Sequence, residues 1–156
     1  MWVVVASEFE FFRIAKRGYC GYHAAAYISS PGANDRTMTR RVVAIVDDMF
    51  FASKVRATAE ALGVEIAFQR TKESALEKII QIRPHLIVVD LQNQRFDAVE
   101  FGSELKGNPD TQSVPILGFF SHVEVELQRR AMGAGFDRVL PRSVFARDLA
   151  AILRGS

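Results

Sequence analysis

Cysteine is nearly absent from this 156-residue chain. The single thiol, Cys20, excludes an internal disulfide framework, a Cys-x-x-Cys redox pair and a zinc site built from several cysteines. Long apolar runs are missing too, and none approaches the roughly 18 residues of a membrane-spanning helix. The first residues, Met1 to Gly18, carry Glu8 and Glu10 early and no basic stretch ahead of the apolar one. They do not read as a secretory signal. Charge of one sign is also lacking: 20 Lys and Arg stand against 18 Asp and Glu, a net +2. That balance gives no electrostatic case for nucleic acid or an anionic membrane surface. The histidines, His23, His85 and His122, show no metal-ligand spacing, so zinc is not expected. The turn Asp47-Asp48-Met49-Phe50 has no glycine, which excludes a P-loop or a dinucleotide fingerprint there. With no Ser-His-Asp or Cys-His arrangement at strand ends either, no enzyme is expected. The expected protein is cytoplasmic and binds neither nucleic acid nor membrane.

What is present is globular composition, 49% apolar and 24% charged. It divides near Met38. Residues 1–37 hold Trp2, Cys20 and all three tyrosines, while residues 38–156 hold nine phenylalanines and no Trp, Tyr or Cys. A Ser29-Ser30-Pro31-Gly32 stretch of loop chemistry separates the two parts. Neither helical nor strand period is sustained in residues 1–37. They are expected to be an extension of uncertain order, or the product of a misassigned start, with translation beginning at Met38. Residues 38–156 are expected to form one domain.

That body alternates in pattern. Val42 to Val46 is a continuous apolar run, as in a strand buried on both faces. A helix is predicted over 52–62, with Gly63 as its C-cap. A second strand is predicted over 64–68, then a helix capped by Thr71 and stopped by Pro84. Leu86 to Val89 is a third strand ending in Asp90, followed by a helix over 97–106. Pro115 to Phe119 is a fourth strand. Ser121 and Glu124 have capping-box spacing, predicting a helix from Ser121 to about Met132. Arg138 to Leu140 is a short fifth strand, and Ser143 is predicted to cap a last helix. The fold class is therefore α/β: a doubly wound, five-stranded parallel sheet of flavodoxin type with helices on both faces. Ligands in such sheets sit beyond the carboxyl ends of the strands, which directs attention to Asp47, Asp48, Asp90, Phe120, Ser121 and Arg142. Phe50-Phe51 cannot easily both face the core, so one is expected to be exposed.

Asp47-Asp48 after the first strand, Asp90 after the third, and Gly133-Ala134-Gly135-Phe136-Asp137 before the fifth occur in this order. In this, residues 40–154 resemble the receiver (CheY-like) domain of two-component response regulators. The resemblance implies that Asp90 is the phosphoacceptor. It also implies Mg²⁺ held by Asp48, Asp90 and the backbone carbonyl of Gln92, with Asp47 acting mainly through a bound water. Carboxylates suit both tasks. They attack phosphorus to form acyl phosphates, and they supply the hard oxygens Mg²⁺ prefers.

Other positions depart from the family. Its Thr or Ser at the fourth strand end falls on Phe120, and Ser121 offers a hydroxyl shifted by one residue. Its lysine is replaced by Arg142, whose planar fork is not interchangeable with an ammonium. Its switch aromatic on the fifth strand is replaced by Val139. The resemblance thus implies a single-domain, atypical response-regulator-like phosphoprotein in a phosphorelay. Its partners would be a histidine kinase or phosphotransfer protein and a downstream protein, and it would be a monomer or weak homodimer. The alternative is a pseudo-receiver, an interaction module independent of phosphate. A flavodoxin-like enzyme or nucleotide binder is the third and weakest class.

Overall fold

The computed structural model describes residues 39–121 and 124–156. The expectations for residues 1–37 and for His122 lie outside the described residues. The described body alternates strand and helix: β1 (Arg41–Ile45), α1 (Met49–Leu62), β2 (Glu65–Gln69), α2 (Lys72–Ile82), β3 (Leu86–Asp90), α3 (Ala98–Gly107), β4 (Ile116–Phe120), α4 (Val125–Gly133), β5 (Arg138–Pro141) and α5 (Arg142–Arg154). The strands form one parallel sheet in the order β2-β1-β3-β4-β5. This is the expected fold class.

Alternation along the strands divides the core in two. Val42, Ala44, Leu86, Val88, Leu117 and Phe119 pack on one face against Phe51, Val55 and Ala59 of α1 and Phe145, Leu149 and Leu153 of α5. Val43, Ile45, Ile87, Val89, Ile116 and Phe120 face the other way, against α2, α3 and α4. A strand that must serve both layers has no polar side, which is why β1, β3 and β4 read as unbroken apolar runs. The sheet reverses winding between β1 and β3, and a crevice at the carboxyl ends follows from that reversal.

Helix ends show where local signals prevailed. Gly63 caps α1 in the left-handed region at φ 66°. Thr71 caps α2 by accepting from Ser74 N. Arg83 closes α2 at φ 44°, and Pro84 prevents continuation.

Three predicted starts are corrected. Helix α1 begins at Met49, three residues earlier than predicted, because the Asp48 carboxylate accepts from Phe50 N and Phe51 N. Helix α4 begins at Val125, not Ser121, so the Ser121–Glu124 capping box does not form. Ser121 N instead donates to the Gln92 side chain at 2.8 Å, which engages the would-be box from another loop. Helix α5 begins at Arg142 directly after Pro141, whose φ of −58° suits a helix entry, and Ser143 is not its cap.

Candidate functional site

The first strand's carboxyl end delivers Asp47 and Asp48, and the third strand's delivers Asp90 to the same edge of the sheet. Asp90 is the last residue of β3 and only 7% exposed. One of its oxygens, Oδ1, accepts from Gln92 N at 3.0 Å. Burial pushes its carboxyl above the usual range, opposed by the Gln92 N–H and the charge of Arg142, and assisted by the charges of Asp47 and Asp48. The charges of Asp47 and Asp48 therefore bear on Asp90, and of Asp48 and Asp90 the latter binds a proton more readily.

The two outer carboxylates are already engaged. Asp48 Oδ1 caps α1, while Oδ2 pairs with the Arg142 guanidinium. The Arg142 hydrogen bond and then the Phe51 N–H hold the Asp48 carboxyl below the usual range. Arg142 is held from two further sides. Its guanidinium carbon lies 4.3 Å from the centre of the Phe51 ring, and its Nη1 approaches Ser121 Oγ at 3.5 Å. Asp47 Oδ1 accepts from Arg95 Nε at 2.9 Å, and Oδ2 accepts from Gln94 N at 3.2 Å. Three carboxylates against two guanidinium groups leave the pocket with one net negative charge.

Of the residues expected here, Asp47, Asp48, Asp90 and Arg142 come together. Ser121 is joined to them through Arg142. Phe120 ends β4 and is buried among core side chains, so no hydroxyl stands at that strand position. The Gln92 carbonyl faces its own loop and accepts from Gln94 Nε2 at 3.1 Å.

Three participants were not foreseen. Arg95 and Gln94 reach Asp47 from the loop after β3. The Gln92 side chain ties that loop to the one after β4, accepting from Ser121 N and donating to Glu124 at 3.3 Å. A cation near Asp47 was open to anticipation, because any basic residue following β3 lies at the same carboxyl edge. The choice of Arg95 carries no local signal. Of the two aromatics, Phe50 is 91% exposed while Phe51 is buried under Arg142, as the pairing required.

The donor chemistry fits a hard cation: carboxylates and a backbone carbonyl at one strand edge. Their present arrangement does not converge on one. Among the described residues no group of three or more His, Cys, Asp or Glu side chains is assembled to hold a metal ion. Guanidinium groups stand at Asp47 and Asp48 instead, and Mg²⁺ at Asp48 requires Arg142 to yield Oδ2.

No family model matches the chain. Among curated proteins it is similar to the response regulator MprA of Mycobacterium tuberculosis, 26% identical over 117 residues covering 75% of this chain and 50% of MprA. The chain spans about half the length of the curated relatives it matches. Among solved structures it is similar to the chemotaxis response regulator CheY4 of Vibrio cholerae, with TM-score 0.66 and 20% identity over 74% of this chain and 97% of that one. A Mn²⁺-bound form of the response regulator Rcp1 matches with TM-score 0.63 and 20% identity, covering 74% of this chain and 90% of that one. Strand order, the acidic carboxyl edge and these similarities agree: the body of the chain has the receiver-type fold and is similar to response regulators over that span.

Proposed function

We propose that this domain serves a two-component signalling pathway by accepting a phosphoryl group on Asp90. The observation that carries the reading is the position of Asp90, buried at the end of β3 between the strand that supplies Asp47-Asp48 and the strand that leads to Ser121. In the reaction, a carboxylate oxygen of Asp90 attacks phosphorus of a phosphohistidine or a small acyl phosphate. The new O–P bond forms as the donor's N–P or O–P bond breaks, and the donor leaves with the electron pair.

Asp90 Oδ1 is held by Gln92 N, which leaves Oδ2 as the attacking atom. Arg142 lies close enough for its charge to act on Asp90. Its fork can follow the incoming phosphoryl oxygens while Ser121 Oγ stands on its other side. Asp48, Asp90 and the Gln92 carbonyl are the residues that would hold Mg²⁺, whose charge offsets the repulsion between phosphoryl oxygens and carboxylates. The similar response regulator Rcp1 has a Mn²⁺-bound form, which supports a divalent metal in this reading. In this reading the domain is a phosphoacceptor and not an enzyme. Its donor is a histidine kinase or phosphotransfer protein, and its output passes through contact with a downstream protein.

The alternative is a pseudo-receiver that binds partners without phosphate. One observation favours it: both oxygens of Asp47 and both of Asp48 already have partners within the chain. Peptide mapping after treatment with acetyl phosphate and Mg²⁺ separates the two. A hydroxylamine-labile phosphoryl group on the Asp90 peptide is the expected result. Label on another residue, or none where an ordinary receiver is labelled, refutes phosphoacceptance.

A further inference from the structure

A second cavity lies at the carboxyl edge of the sheet, on the far side of β1 from Asp90. It has a volume of about 430 Å³ and is bounded by the end of β1, α1, β2 and the start of α2. That size is within the range of small-molecule sites. Val46, Ala52 and Phe68 supply apolar surface, and Arg56 and Arg70 supply two positive charges. No Asp or Glu lines it. Among the described residues neither arginine has a carboxylate partner.

Both guanidinium groups lie beside the apolar lining. The Arg56 guanidinium carbon lies 5.0 Å from the centre of the Phe68 ring. Arg70 Nη2 donates to Met49 Sδ. Neither an aromatic face nor a thioether neutralises a guanidinium, since the first engages only its plane and the second is at most a weak acceptor. Two exposed forks with no carboxylate partner among the described residues, set beside apolar surface, offer a site for an anion carrying a hydrophobic body.

We propose that this cavity binds a small organic anion, a phosphate monoester or carboxylate with an apolar or aromatic body. The anionic group would sit between Arg56 and Arg70, and the body would lie on Val46, Ala52 and Phe68. The site is separate from Asp90, and its occupancy does not depend on phosphoacceptance there. It does touch Met49, which directly follows the Asp48 cap, so a ligand bears on the first turn of α1.

The test is a titration of the full chain, without Mg²⁺, with phenyl phosphate and separately with benzoate, followed by backbone amide spectra. Saturable shifts at Met49, Ser53, Arg56 and Arg70 with either probe support the proposal. So does a loss of about tenfold in affinity in Arg56→Gln and in Arg70→Gln. Inorganic phosphate and benzyl alcohol, each lacking half of the chemistry, are expected to bind at least about tenfold more weakly. Urea midpoints of the variants matching the wild type show that the fold is retained. Wild-type affinity in both variants overturns the proposal. So do shifts centred on Asp90, Ser121 and Arg142, inorganic phosphate binding as tightly as phenyl phosphate, or no saturation at about 10 mM probe.

Discussion

Replacing Arg142 with alanine should turn the acidic pocket into a better cation site. Arg142 occupies Asp48 Oδ2, an oxygen a divalent ion needs. In water-like surroundings, a guanidinium about 5 Å from a divalent cation repels it by about 1.7 kcal/mol. Screening at physiological salt lowers this to about 1 kcal/mol. The ion pair that must break adds about 0.5 kcal/mol, a modest figure because both side chains are partly exposed. Together these amount to about 1.5 kcal/mol, or about tenfold in affinity. Isothermal titration with Mg²⁺ should therefore show Arg142→Ala binding about tenfold more tightly than wild type. Arg142→Lys keeps the charge but loses the planar stack on Phe51, and it should fall between the two. Unchanged or weaker binding by Arg142→Ala would refute competition between guanidinium and metal.

Further outcomes follow from buried groups. Asp90→Asn should stabilise the fold at neutral pH by about 1 kcal/mol, or about 4 °C in Tm, because the amide escapes the cost of a buried charge. The sign of its pH dependence follows from the raised carboxyl. The folded state holds the proton more tightly than the unfolded state, so Asp90 costs stability above its folded pKa. That cost fades as pH falls through it. The advantage of the variant in thermal melts should therefore shrink toward acid pH. Asp48 runs the other way: its contribution is present above the ordinary carboxylate range and is lost as pH falls through its lowered value. Gly102→Ala should destabilise by about 1–3 kcal/mol in urea titration despite better helix propensity, because a Cβ there collides with the buried Phe136 ring. Thr111→Val should cost about 1–2 kcal/mol, since the buried hydroxyl donates to Leu105 O at 2.7 Å.

The sheet was legible because its strands are buried on both faces and leave continuous apolar runs, Val42 to Val46 and Leu86 to Val89 above all. Gly63 and Thr71 marked helix ends through chemistry confined to a few neighbouring residues. Legibility failed where a partner came from far along the chain. Asp47 meets Arg95 across 48 positions. Ser121 and Glu124 have the spacing of a capping box, but Gln92, 29 residues before Ser121, takes the Ser121 N–H. The acidic edge could be anticipated from topology. So could the pairing of Arg142 with it, since Arg142 follows a strand end at the same edge; that Arg95 is the residue reaching Asp47 could not, because no periodicity reports which way a long side chain turns. Asp48 shows why a residue's roles are hard to read singly: one oxygen caps a helix and the other faces the site.

Intact mass after incubation with acetyl phosphate, with Mg²⁺ and with chelator, tests phosphoacceptance most directly. Asp90→Asn serves as the control. The expected result is a gain of one phosphoryl group in the wild type with Mg²⁺, and none in Asp90→Asn. No gain in the wild type, under conditions that phosphorylate an ordinary receiver, would contradict Asp90 as phosphoacceptor. A gain in Asp90→Asn equal to that of the wild type would contradict it equally.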